Sequence, residues 1–116
     1  MSIFSVAPSP IQLIDLPILR ERNVELWIKR DDLLHPTLIG NKYRKSLVYF
    51  QQALTTRQTV VTFGGAYSNH LLAVALMGQS LGLRTVGCVR GEIELPDAPI
   101  LERCRDAGMH LISISR

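Results

Sequence analysis

The sequence predicts an α/β fold, a parallel sheet built from βαβ units with helices on its faces. Three observations carry that prediction. Short β-branched apolar runs alternate with longer helical stretches from residue 59 onward. The joints "LGLRTV" and "AGMHLI" share one grammar: helix end, glycine, apolar residue, polar residue, strand. The stretch "SNHLLAVALMGQSLG" (68–82) is apolar nearly all round, as a helix buried on most sides must be.

The elements follow in order. Residues 1–23 are punctuated by Pro8, Pro10 and Pro17 and read as an irregular segment, with a short extended piece near Ile11–Ile14. "VELWIKRDD" (24–32) reads as a strand, because Val24, Leu26 and Ile28 share one face by the period of two. Pro36 marks the loop after it. From Tyr43 the period changes: Tyr43, Leu47, Phe50 and Leu54 form one helical stripe. "TVVTF" (59–63), closed by Gly64 and Gly65, reads as a buried strand. Ser68 is the expected N-cap of the next helix and Gly82 its left-handed C-terminal cap. "RTVGCV" (84–89) is a further strand. "APILERCRDAG" (98–108) is a helix, with Asp97 as N-cap and Pro99 in its first turn. "HLISIS" (110–115) is the last strand of the series.

Composition narrows the function classes. A chain of 116 residues with 13 basic and 10 acidic side chains is close to neutral, at +3. Its basic residues are scattered between Arg20 and Arg116, so a clustered nucleic-acid face is not expected. Two cysteines, Cys88 and Cys104, suggest neither a disulfide framework nor a metal site; both read as buried thiols of a reducing compartment. The N-terminus has no basic n-region, and its apolar stretches are cut by prolines and Asp15, so neither a signal peptide nor a membrane span is expected. Cytoplasm is the default. The chain stops after a strand with no closing helix, although a parallel sheet wants both faces covered. The expectation is a single incomplete α/β region over 1–116, one lobe of a longer protein.

In such sheets ligands sit at the carboxyl ends of strands. Two loops stand out there: "LIGNK" (38–42) after the strand at 24–32, and "GGAYSNH" (64–70) after the strand at 59–63. In the second, Gly64 and Gly65 allow a sharp turn and close approach, and Ser68, Asn69 and His70 open a helix whose free N–H groups favour an anion. The plainer reading is a tight turn plus a cap. Lys42 stands at a helix start, where the dipole disfavours its charged form; a desolvated lysine so placed can attack a carbonyl. The plainer reading is a solvated surface lysine. No dinucleotide or P-loop fingerprint is present, which argues against a flavodoxin-like or nucleotide-binding module.

Together, "IKRDDLLHPTLIGNKYRK" (28–45) and "VTFGGAYSNHLLAVALMGQSLGLRTVGCVRGE" (61–92) resemble the N-terminal part of the 1-aminocyclopropane-1-carboxylate deaminase and D-cysteine desulfhydrase family. That family lies in the tryptophan-synthase-β-like group of pyridoxal phosphate enzymes. The resemblance runs from about Pro10 to Arg116. It is most specific at Lys29–Asp32, Gly40–Lys45 and Gly64–His70. It implies that Lys42 forms the Schiff base with pyridoxal phosphate and, once freed by substrate, acts as general base. It implies that Asn69 binds the 3′-oxygen of the pyridine ring, and that Ser68 with the backbone N–H groups of Asn69 and His70 holds the substrate carboxylate. The His70 side chain either touches substrate or makes a supporting hydrogen bond. Asn41 shapes the lysine's loop, and Arg44 with Asp31 or Asp32 is structural. The implied reaction converts a small amino acid to a 2-oxo acid and ammonia, with sulfide from a cysteine substrate. Family members are longer, homodimeric enzymes whose second lobe supplies the Gly/Thr-rich phosphate loop, so the resemblance implies a truncated fragment. The alternative is a catalytically inert α/β domain that binds a small anion or a partner chain.

Overall fold

The structure, a computed structural model, describes residues 7–35, 41–93 and 98–115. Along them run β1 (Ile11–Ile14), α1 (Pro17–Glu21), β2 (Leu26–Lys29), α2 (Asn41–Thr56), β3 (Val60–Gly64), α3 (Asn69–Leu81), β4 (Thr85–Arg90), α4 (Pro99–Asp106) and β5 (His110–Ile114). A 3-10 turn at Asp31–Leu33 follows β2. Asp97, the expected cap of α4, lies outside the described residues, as do Pro36 and Gly40. Ala98 stands at the α4 cap position and offers no side-chain bond.

The parallel sheet is present, with strand order β3-β4-β5. Val60 lies opposite Thr85 and Val86 opposite His110. Alternation then sorts side chains between two faces. Thr62, Gly64, Thr85, Gly87 and Val89 are buried toward the helices. Gly87 shows the closeness of that packing: a Cβ there would come within 2.7 Å of Met109 Sδ and 3.4 Å of Leu71. The opposite face carries Val61, Phe63, Cys88 and Ile112, of which Val61, Phe63 and Ile112 are exposed. The 59–63 run is therefore buried on one face only. Cys88 is half-buried rather than buried, because it points to that uncovered face.

α3 is the centre of the core. Leu71 to Ala75, Met77 and Gly78 are buried, as its unbroken apolar sequence requires. Ser68 caps its start by accepting from Leu71 N–H at 3.3 Å. Gly82 ends it at φ 65°, with Gly82 N–H donating to Gln79 O and Leu83 N–H to Gly78 O, the two bonds of a Schellman motif. α2 packs beside α3 through Tyr43, Ser46, Phe50 and Ala53; Leu47 and Leu54 of the predicted stripe are only half-buried. Leu101, Cys104 and Ala107 of the α4 segment complete the cluster.

The strand at 24–32 differs from expectation. It spans Leu26–Lys29 and pairs antiparallel with β1 in a separate two-stranded ribbon, Ile11 opposite Lys29 and Ile14 opposite Leu26. The period of two marks a strand but does not choose its partner. All four β2 residues are exposed, so no buried face specified a place in the main sheet. α1 lies in the segment expected to be irregular; Pro17 in its first turn is the signal that marks it. No helix among the described residues is long and apolar enough to cross a membrane.

Candidate functional site

The loop after β3 turns within four residues, Ser68 N–H donating to Gly65 O at 3.1 Å. Gly64 is required there, because a Cβ would fall 2.7 Å from Ser68 Oγ and 2.8 Å from Leu71 Cγ. The close approach at Gly64 is thus to the chain's own helix. A Cβ on Gly65 would meet nothing within 4 Å, so open space lies beside the loop at that residue. Asn69 and His70 are the first residues of α3, where N–H groups lack intrahelical carbonyls. Asn69 is exposed and Ser68 half-buried, with its oxygen already accepting from Leu71. Tyr67 projects into solvent.

His70 Nε2 lies 2.8 Å from Thr62 Oγ1, so its side chain makes the supporting bond within the chain. Its Nδ1 is buried and has no hydrogen-bond partner among the described residues. Burial first, then the positive charges of Lys42 and Lys45, hold its pKa below the ordinary histidine value. Lys45 of α2 and His70 of α3, 25 residues apart in sequence, line one cavity.

Lys42 is half-buried on the first turn of α2, after exposed Asn41. Arg44 in the same turn makes a bidentate pair with Asp31, Nε to Oδ2 at 2.6 Å and Nη2 to Oδ1 at 2.9 Å. Hydrogen bonds from Arg44 first, then from Ser9, hold the Asp31 carboxyl well below the usual carboxylate range. Asp32 pairs instead with Arg30, its neighbour in the same turn. Thr62 and Ser9 were not singled out by the sequence. Thr62 had a faint signal, a polar residue in an inward position of an apolar strand; Ser9 had none.

A cavity of about 610 Å³ lies along α2 and β3, lined by Lys45, Tyr49, Gln52, Phe63 and His70 among others. His70 stands beside Asn69 in the first turn of α3, so the cavity reaches that helix start.

No family model matches the chain. It is 38% identical over 120 residues to the mitochondrial bifunctional D-cysteine desulfhydrase/1-aminocyclopropane-1-carboxylate deaminase of Arabidopsis thaliana, covering 95% of this chain and 30% of that protein. It is 35% identical over 92 residues to a D-cysteine desulfhydrase of Salmonella typhimurium, covering 78% of this chain and 27% of that one. A crystal structure of an ACC deaminase homologue superposes with a TM-score of 0.75 at 32% identity, over 97% of this chain and 34% of that one. The chain thus spans about 30% of the length of the curated relatives it matches. On these likenesses, the chain belongs to the 1-aminocyclopropane-1-carboxylate deaminase/D-cysteine desulfhydrase family.

Proposed function

We propose that this chain carries the lysine and carboxylate-binding part of a pyridoxal phosphate-dependent deaminase or desulfhydrase acting on a small amino acid. One observation supports it above the rest. Half-buried Lys42 stands in the first turn of α2, about one turn before Lys45, which lines one cavity with His70 of the first turn of α3. An amine beside a helix start fits a ligand with an aldehyde, a ring oxygen and a carboxylate nearby.

In this reading Lys42 holds the cofactor covalently and Asn69 donates to its ring 3′-oxygen. The bound cofactor supplies an electron sink for negative charge next to the amino nitrogen. Ser68 Oγ–H and the N–H groups of Asn69 and His70 orient the substrate carboxylate. Ser68 is suited to this, because its oxygen accepts from Leu71 while its proton stays available to donate. Lys42, once free, takes the proton from the reacting carbon. His70, kept neutral by burial and by the neighbouring lysines, adds no like charge to the site.

Reductive trapping tests the reading. The chain is mixed with pyridoxal phosphate, reduced with borohydride and digested. A pyridoxyl adduct concentrated on Lys42 and lost in Lys42→Ala supports it. Label spread evenly over surface lysines favours an inert α/β domain.

A further inference from the structure

Asp31 joins three segments. Its carboxylate accepts both hydrogen bonds of the Arg44 fork and one from Ser9 Oγ at 2.5 Å. Lys29 Nζ donates to Ser9 O at 3.2 Å on the same side. The residues before β1, the turn after β2 and the first turn of α2 therefore meet at one side chain. Two parallel bonds to a planar guanidinium fix orientation as well as distance. Arg44 stands two residues beyond Lys42, about 200° around the helix. Between them Tyr43 is buried against the core. A helix gripped on these two sides cannot roll without breaking the fork, and its remaining side presents Lys42. The neighbouring Arg30–Asp32 pair spans two residues of one turn and grips nothing on α2.

We propose that Asp31, through Arg44, is a positioning residue that sets the direction of Lys42 toward the start of α3. The proposal rests on the reading of Lys42 as the cofactor lysine. Both partners are partly exposed, so the pair adds little to global stability. Its effect falls on where the amine points, and that separates a positioning role from a merely structural one.

The test uses the full chain in four forms: unsubstituted, Asp31→Asn, Arg44→Lys, and Asp32→Asn as control. The first readout is the share of pyridoxyl label on Lys42 against Lys45 after borohydride reduction. The second is amide exchange at Lys45, Ser46 and Leu47, whose N–H groups bond the first-turn carbonyls of α2. Asp31→Asn and Arg44→Lys should cut the Lys42 share at least about threefold and speed exchange there about three- to tenfold, with the urea midpoint nearly unmoved. Arg44→Lys keeps the charge and loses the fork, so its failure assigns the effect to geometry. Asp32→Asn should change neither readout. An unchanged Lys42 share in Asp31→Asn overturns the proposal, whatever the exchange rates do; so does an equal loss in Asp32→Asn. Even label in the unsubstituted chain overturns the cofactor reading and the aim given to Asp31 with it. The exchange rates then still decide whether Asp31 holds the turn.

Discussion

Thr62 Oγ1 and His70 Nε2 lie 2.8 Å apart and tie the inward face of β3 to the first turn of α3. Thr62 is buried, and the imidazole covers it from the helix side. The contact fixes the loop between them from both ends, so Gly65, Ser68 and Asn69 are carried on a closed span of nine residues from Thr62 to His70.

Thr62→Val keeps the shape at β3 and removes the partner of Nε2. His70 would then have both ring nitrogens without a partner, since Nδ1 has none already. The expected loss is about 1–3 kcal/mol, the cost of leaving a buried polar atom unpaired. Urea unfolding checks it. Adding His70→Phe to Thr62→Val removes the orphaned nitrogens as well and should recover part of that loss. No recovery would show that unpaired ring nitrogens are not what Thr62→Val costs.

His70 also gives the chain a pH response. Burial and the charges of Lys42 and Lys45 lower its folded pKa below the ordinary 6.5. Between the folded value and 6.5 the unfolded chain binds more protons. Stability from this group is therefore complete above about pH 6.5 and declines as pH falls from there through the folded pKa. Urea midpoints from pH 8 to 5 should show this slope in the parent chain and not in His70→Phe. In Lys42→Met, with one nearby positive charge removed, the His70 ring resonance should titrate at higher pH. No movement would place Lys42 away from α3.

The two cysteines should differ sharply in reactivity. Burial pushes the Cys104 thiol up to about 11. On the order of one molecule in ten thousand is then thiolate at neutral pH, and the side chain is out of reach besides. Cys88 is half-buried on the uncovered face of the sheet. A disulfide-exchange reagent should modify Cys88 in the native chain and Cys104 only with unfolding. Prompt modification of both would mean that α4 does not stay packed on α3.

The sequence carried the α/β unit well and the ribbon poorly, for physical reasons. From β3 to β5 each signal had a matching constraint. Ser68 and Gly82 bound α3, and the apolar residues between them could be satisfied only by burial. Val24, Leu26 and Ile28 alternate just as well, yet Leu26 and Ile28 are exposed in β2 and nothing in their pattern chose β1 over the main sheet. At the candidate site, the helix start at Ser68, Asn69 and His70 was readable because capping residues mark it locally. The cavity shared by Lys45 and His70 and the Ser9–Asp31–Arg44 junction come from tertiary packing, which periodicity does not encode. Thr62 sits eight residues before His70 and meets it only because β3 and α3 fold back on each other.

Gly64 and Gly65 read alike in sequence and should answer differently to alanine. A Cβ at Gly64 would lie 2.7 Å from Ser68 Oγ and 2.8 Å from Leu71 Cγ. Leu71 is fully buried, so it has no room to retreat, and Ser68 would have to leave its capping position. Gly64→Ala should cost about 1–3 kcal/mol, as overpacking does. At Gly65 the added methyl meets nothing, and the residue is not among those with positive φ. Gly65→Ala should leave stability unchanged or raise it by about 0.4–1 kcal/mol, since alanine has fewer unfolded conformations to lose. The same variant tests the proposed carboxylate site, since the open space beside Gly65 borders the loop that carries Ser68 and Asn69. Calorimetric titration of the pyridoxal phosphate-loaded chain with a small amino acid should show weaker binding for Gly65→Ala at undiminished stability. Equal binding would move the carboxylate site away from this loop.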